Sequence, residues 1–305
     1  MNQMIKKLLA MMLIVTLLSA MLAGCGKPAE EAPLSAQPES TEVVEEARQP
    51  REGIQTVLVS CLDAYSVEGQ SGYRNSNRAD FLLLLVIDER TSKITSVQIN
   101  PDTVVSFEIP GKSEMVELPV GLLHSYGSGG SDSCLNISNA VSDSLGGVKI
   151  DHFLSFAREA IPFVNDAIGG VTVEKEAVSA NEAESKTITL SGEAATAFFF
   201  ERKQEDKTNE THMEQQRRYM KGLYPPFMAA TQDDSFLSKL SLQLGENMIT
   251  DLTLSQLILM FENLAAYKME EEIVTFTGES QITDGVFCFY PDQESVRSQV
   301  EKLIY

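Results

Sequence analysis

The chain has 305 residues, with 24 Lys and Arg against 44 Asp and Glu, and a formal net charge of -20. That balance excludes a surface built to release counterions from polyphosphate, so no nucleic-acid partner is expected. A phosphate-bearing ligand would need cations concentrated locally, or a bound divalent metal.

Lys6 and Lys7 precede the apolar run Leu8 to Ala23, which is followed by Gly24-Cys25-Gly26. A charged start, a short apolar stretch and small residues before a cysteine form the pattern of a bacterial lipoprotein signal, residues 1–24, with Cys25 as the lipid attachment site. The competing reading, a retained transmembrane helix, needs ~20 apolar residues, more than this run supplies. The mature chain is therefore expected on the extracytoplasmic face of the cell membrane, held by acyl chains whose burial contributes ~0.8 kcal/mol per methylene. Residues 25–52 lack apolar periodicity and read as a disordered linker. Residues 53–305 are long enough for one large domain.

Thr56 to Leu62 is a β-rich run, and Phe81 to Ile87 is a continuous apolar stretch expected to be a central strand buried on both faces. Asp88 to Ser92 is a plausible turn into an alternating strand, Lys93 to Ile99. After a Gly/Ser loop, Ser125 to Asp132, a helix is predicted from Cys134 to Leu145, stopped by Gly146-Gly147. A short strand, Phe153 to Phe156, a helix from Arg158 to Ala167 and a strand, Val171 to Val173, follow. Ser191 is read as the cap of a helix over Glu193 to Phe200, and longer helical patterns cover Glu210 to Met228 and Ser255 to Tyr267. A strand over Val286 to Tyr290 and a helix over Glu294 to Ile304 close the chain. Helices interleaved with buried strands predict an α/β fold, a central mixed sheet flanked by helices.

Cys61, Cys134 and Cys288 show no metal-binding spacing. Buried free thiols are the simpler reading, although the compartment permits a disulfide. Asp63 ends the first strand and Asp80 begins the second, so antiparallel neighbours would bring both acids to one sheet edge. Paired carboxylates offer hard oxygen ligands for magnesium, but Asp at strand ends is also a common turn former.

The order of segments adds to this. Asp63 at a strand end, Arg78-Ala79-Asp80, Ile99-Asn100-Pro101-Asp102-Thr103, Leu145-Gly146-Gly147 with Ile150-Asp151-His152-Phe153, Asp166-Ala167-Ile168-Gly169-Gly170-Val171 and Leu190-Ser191-Gly192-Glu193 together resemble the LytR-CpsA-Psr family. The resemblance runs from about Thr56 to Tyr305. It implies a three-layer α/β/α fold and a membrane-anchored enzyme that transfers a glycopolymer from an undecaprenyl-pyrophosphate carrier to peptidoglycan or another cell-wall acceptor. A polyprenyl chain would sit in an apolar pocket, with magnesium and arginines on the pyrophosphate. Carried over by position, Asp63 and Asp80 match the metal carboxylates. Arg78, Asp102 and Arg202 match catalytic positions, with Arg78, Arg202 and Gln216 on the substrate.

The chain also departs from the pattern. Pro101, Phe200, His212 and Gln215 stand where the family carries arginines, and Pro and Phe cannot donate to phosphate. Losing one preorganised donor typically costs ~2.7–4 kcal/mol of transition-state stabilisation. Lys203, Arg217, Arg218 and Lys221 are candidates to compensate, or are solvated surface charges. The run Phe198-Phe199-Phe200 reads as core or as the wall of a lipid pocket. Three readings follow: an active transferase with an altered arginine set, a catalytically degenerate polyprenyl-phosphate-binding or scaffolding lipoprotein, and an unrelated solute-binding lipoprotein.

Overall fold

The computed structural model describes residues 49–64, 72–174, 187–202, 206, 208–233 and 235–305. The leader, Cys25, most of the linker and Lys203 lie outside the described residues. In chain order the elements are β1 (Ile54–Ala64), β2 (Asn77–Asp88), β3 (Lys93–Ile99), β4 (Val104–Ile109), β5 (Glu114–Pro119), a 3-10 helix (Val120–Tyr126), α1 (Ser131–Ser144), β6 (His152–Ala157), α2 (Ala160–Ala167), β7 (Val171–Glu174) and β8 (Thr187–Leu190). They continue with α3 (Glu193–Phe200), α4 (Glu210–Ala230), α5 (Phe236–Leu244), β9 (Met248–Thr250), α6 (Leu254–Leu264), β10 (Lys268–Val274), β11 (Gly278–Thr283), β12 (Val286–Pro291) and α7 (Gln293–Leu303).

The main sheet has the order β10-β3-β2-β1-β6-β9. The first three strands form an antiparallel meander, with Leu84 paired to Leu58 on one side and to Val97 on the other. β6 then joins β1 in parallel. The apolar run of β2 is explained by cover on both faces. Leu82, Leu84 and Val97 pack with Ile137 and Val141 of α1 and Val296 of α7. On the other face Cys61, Phe81 and Leu83 pack with Ile161 of α2, Phe199 of α3 and Tyr219 of α4. The expected arrangement, a mixed sheet between helical layers, is the observed one. Cys61, Cys134 and Cys288 are buried free thiols.

Several local expectations are corrected. The helix expected from Arg158 starts at Ala160, because Pro162 suits a first helical turn, and this leaves Arg158 in the turn after β6. Ser191 does not cap α3; Gly192 takes the cap position in a positive-φ conformation, and its N–H donates to Asp166 Oδ1. β10 escaped the sequence reading because its glutamates look like a solvated charge run; pairing with β3 places Glu270 3.0 Å from Lys93.

α4 lies close against β7, since a Cβ at Gly222 would run into the carbonyl oxygen of Thr172. Replacing an open helical Gly by Ala stabilises by ~1 kcal/mol. Gly222→Ala is instead expected to destabilise by about 1–3 kcal/mol, the usual cost of overpacking, as read by urea unfolding.

His124, in the 3-10 helix, is fully buried. Its Nδ1 lies 3.3 Å from Asn75 Oδ1, while Nε2 has no hydrogen-bond partner among the described residues. Burial pushes its pKa down to about 4 from the ordinary 6.5. The unfolded chain therefore binds a proton that the folded chain rejects, so stability falls as pH drops from about 6.5 to about 4. His124→Gln is expected to flatten that part of the urea-midpoint profile.

Candidate functional site

The ends of β1 and β2 bring the first candidates together. Asp63 stands opposite Arg78 in the antiparallel register. Between them and the strand centre the pairing slips: Cys61 pairs with Phe81 and Leu62 with Ala79, so Asp80 has no partner across β1. Such a bulge re-aims side chains. Here Asp80 reaches His212 of α4 while the next residue, Phe81, meets Phe199 of α3, so both face the same helical layer.

Asp80 is the centre of the site and is almost fully buried. Its Oδ1 accepts from Arg202 Nη2 at 2.7 Å and lies 4.0 Å from Arg78 Nε. Its Oδ2 is 2.7 Å from His212 Nε2. His212 Nδ1 faces the Glu201 carbonyl at 3.1 Å, and Nε2 lies 2.9 Å from Gln216 Nε2 as well as beside Asp80. Burial alone would raise the Asp80 carboxyl. The His212 hydrogen bond and the charges of Arg202, His212 and Arg78 outweigh it and hold Asp80 well below the usual carboxylate range.

Asp102 is the second buried acid. Arg78 Nη2 donates to its Oδ1 at 3.0 Å, and Arg202 Nη1 lies 3.8 Å from its Oδ2. The turn Ile99 to Thr103 fixes it: Asn100 Oδ1 accepts from the Asp102 N–H, and the Asn100 carbonyl accepts from Thr103. Phe289 at the C-terminal hairpin donates its N–H to the Asp102 carbonyl at 2.7 Å. Pro101 presents its carbonyl to Gly121 N–H of the 3-10 helix, which must be glycine because a Cβ would strike Ala79 and Pro101. Among the described residues, Arg78 and Arg202 are the cations that reach this turn's Asp102.

Gln216 lies one helical turn beyond His212. Its amide donates to the Asp80 carbonyl at 3.2 Å and accepts from Gln98 Nε2 at 3.2 Å. Gln98 was not singled out in the sequence, where it is one polar residue on an alternating strand. Gln215 instead donates to the Phe198 carbonyl. Arg217 is held by Glu210, Glu214 and Gln98, and Arg218 by the Glu174 carbonyl, so neither enters the Asp80 cluster. Lys221 lines the cavity described below.

Arg158 is the residue that sequence reasoning passed over. Its Nη1 lies 3.0 Å from each oxygen of Asp63, and its guanidinium carbon stands 4.7 Å above the Phe200 ring. Asp63 and Asp80 thus share a sheet face and supply the oxygen donors magnesium prefers. Their oxygens bond to Arg158, Arg202 and His212, which a cation at that point would have to share or displace. No group of three or more His, Cys, Asp or Glu placed around one point occurs among the described residues.

An apolar cavity of about 490 Å³ adjoins this polar cluster. Cys61 and Phe81 line it beside the acids, and Leu154, Leu240 and Leu257 continue it along the sheet. Phe199 contributes to its wall while packing edge-on against Phe81 and Tyr219, so this one residue of the aromatic run is core and wall at once. On α4 the spacing places His212, Gln216, Tyr219, Leu223 and Phe227 on one face, polar at the acid cluster and apolar along the cavity.

The fold is a layered α/β sheet with an apolar cavity beside a buried cluster of acids and guanidinium groups. The model of the LytR_cpsA_psr family matches residues 25–304, and the chain belongs to that family. A similar curated protein is the polyisoprenyl-teichoic acid--peptidoglycan teichoic acid transferase TagU of Bacillus anthracis, 24% identical over 75% of this chain and 73% of its own. Among solved structures, TagV of B. subtilis superposes with a TM-score of 0.63 at 17% identity, covering 83% of this chain and 96% of that one. TagT bound to LIIa-WTA gives 0.62 at 19% identity, covering 83% and 90%.

Proposed function

We propose that this chain is a cell-envelope transferase that moves a glycopolymer from an undecaprenyl-pyrophosphate carrier to peptidoglycan or another cell-wall acceptor. It would work on the extracytoplasmic face of the cell membrane, anchored by lipid on Cys25. The observation that carries the reading is the nearness of the cavity to the acid and arginine cluster: Phe81, which lines it, follows Asp80 directly, and Cys61 stands two residues before Asp63, so an isoprenoid chain suits the apolar walls and a pyrophosphate the neighbouring charges. The names of the relatives, which act on polyisoprenyl-teichoic acid, agree with it.

The chemistry is phosphoryl transfer. An acceptor hydroxyl forms a new O–P bond and gives up its proton to solvent, the bridging P–O bond breaks, and polyprenyl phosphate leaves with the electron pair. Negative charge builds on the phosphoryl oxygens and on that leaving group, where fixed guanidinium groups stabilise it. Asp80 and Asp102 hold Arg202 and Arg78 in place for this role, and Gln216 fixes the main chain of Asp80. Asp63 and Asp80 are the residues that would hold magnesium, which when bound would supply further positive charge to the pyrophosphate.

The test is transfer of labelled polymer from a polyprenyl-pyrophosphate donor to peptidoglycan by the purified chain with magnesium. Incorporation that Asp80→Ala abolishes supports the proposal. The engagement of both Arg78 and Arg202 by buried carboxylates, with Pro101, Phe200 and Gln215 in place of family arginines, favours a second reading, a polyprenyl-phosphate-binding scaffold in envelope assembly. Lipid binding without any transfer would establish that second reading over the first.

A further inference from the structure

We infer that Arg158 receives the phosphate end of the lipid, with the Phe200 ring as its seat; this rests on the cavity being a lipid-phosphate site. Among the three guanidinium groups of the cluster, Arg158 is the most open, its side chain 40% exposed against 29% for Arg202 and 15% for Arg78. Its link to Asp63 uses Nη1 alone, and no hydrogen bond from Nε or Nη2 is made to the described residues. Donors are therefore left on a side chain whose position is already fixed by a carboxylate and by an aromatic face.

The pair stands beside the cavity, two residues from lining positions on both strands. Asp63 lies two residues beyond Cys61, and Arg158 two residues before Ala160; Cys61 and Ala160 both line the cavity. Parallel pairing of β1 with β6 sets these two strand ends side by side, Leu62 opposite Ala157. A chain lying along Phe81 and Ile161 would bring its head group to this edge. Phe200 stands at a position where the family pattern has an arginine. Arg158 returns a guanidinium to the same point from a different strand, and a planar guanidinium can hold phosphate through two parallel hydrogen bonds.

The experiment measures binding of undecaprenyl phosphate and of undecaprenol to the full chain in detergent, for the wild type, Arg158→Gln, Arg158→Lys and the exchange Arg158→Phe with Phe200→Arg. A charge-assisted hydrogen bond lost from a ligand typically weakens it tenfold or more. The expected result is that the wild type prefers the phosphate, that Arg158→Gln loses about tenfold on the phosphate with the alcohol unchanged, and that Arg158→Lys and the exchange recover part of the preference. An unchanged preference in Arg158→Gln overturns the inference and leaves the cavity reading intact. Equal loss on the phosphate and the alcohol, or failure of both charge-restoring variants to recover the preference, also overturns it, by making Arg158 a structural ion pair. A wild type that binds neither lipid overturns the inference together with the function on which it rests.

Discussion

Asp80→Ala is expected to cost the fold about 3–5 kcal/mol in urea unfolding, because removing one partner of a buried ion pair strips the others of their nearest opposite charge. Arg202, His212 and Arg78 all converge on this carboxylate, and His212 is wholly enclosed. Without Asp80 the buried His212 ring loses its carboxylate partner and Arg202 its nearest one, leaving Asp102 at 3.8 Å. Asp63→Ala is the comparison. Its pair with Arg158 is 25% and 40% exposed, and partly solvated pairs of this kind are worth no more than about 1 kcal/mol. Equal losses for the two variants would contradict the assignment of Asp80 as the organising charge of the site. The difference also sets a condition on any activity assay of Asp80→Ala: it must be run where the variant is still folded.

The second large effect is expected from filling the cavity. Val59 and Leu85 are partly open in the middle of strands whose neighbours are otherwise buried, because the helical layer stands off the sheet there. Val59→Phe should place a ring in that space. Large residues forced into packed cores usually cost about 1–3 kcal/mol, but this site has room, so little change in stability is expected. Binding of undecaprenyl phosphate should weaken by more than tenfold, since several methylene-sized contacts worth ~0.8 kcal/mol each are displaced. A variant that binds the lipid as well as the wild type would show that the chain does not use this cavity.

Much of this fold was legible because its signals are local. The apolar run of β2 and the alternation of β3 announce one strand buried on both faces and a neighbour in the sheet, and the observed registers agree. Asp63 and Asp80 at one sheet edge followed from the antiparallel pairing of β1 with β2. What could not be read is what depends on contact between distant segments. Arg158 looked like the first residue of a helix, and only the parallel pairing of β6 with β1 brings it to Asp63. His212 was singled out only as a residue standing where the family carries an arginine. It is instead a buried partner of Asp80, 132 residues away in sequence. Gln98 was hidden for the same reason, since its partners Gln216 and Arg217 arrive on α4. The edge strand β10 failed for another reason: its Glu run obeys the rule for solvated segments, and its pairing comes from β3 rather than from its own pattern.

The most direct measurement is a crystal structure of the chain with undecaprenyl pyrophosphate. The isoprenoid is expected between Phe81, Leu154 and Leu257, with the pyrophosphate at the end formed by Asp80, Arg202 and Arg158. An isoprenoid bound elsewhere, or a cavity left unfilled at saturating lipid, would contradict the account.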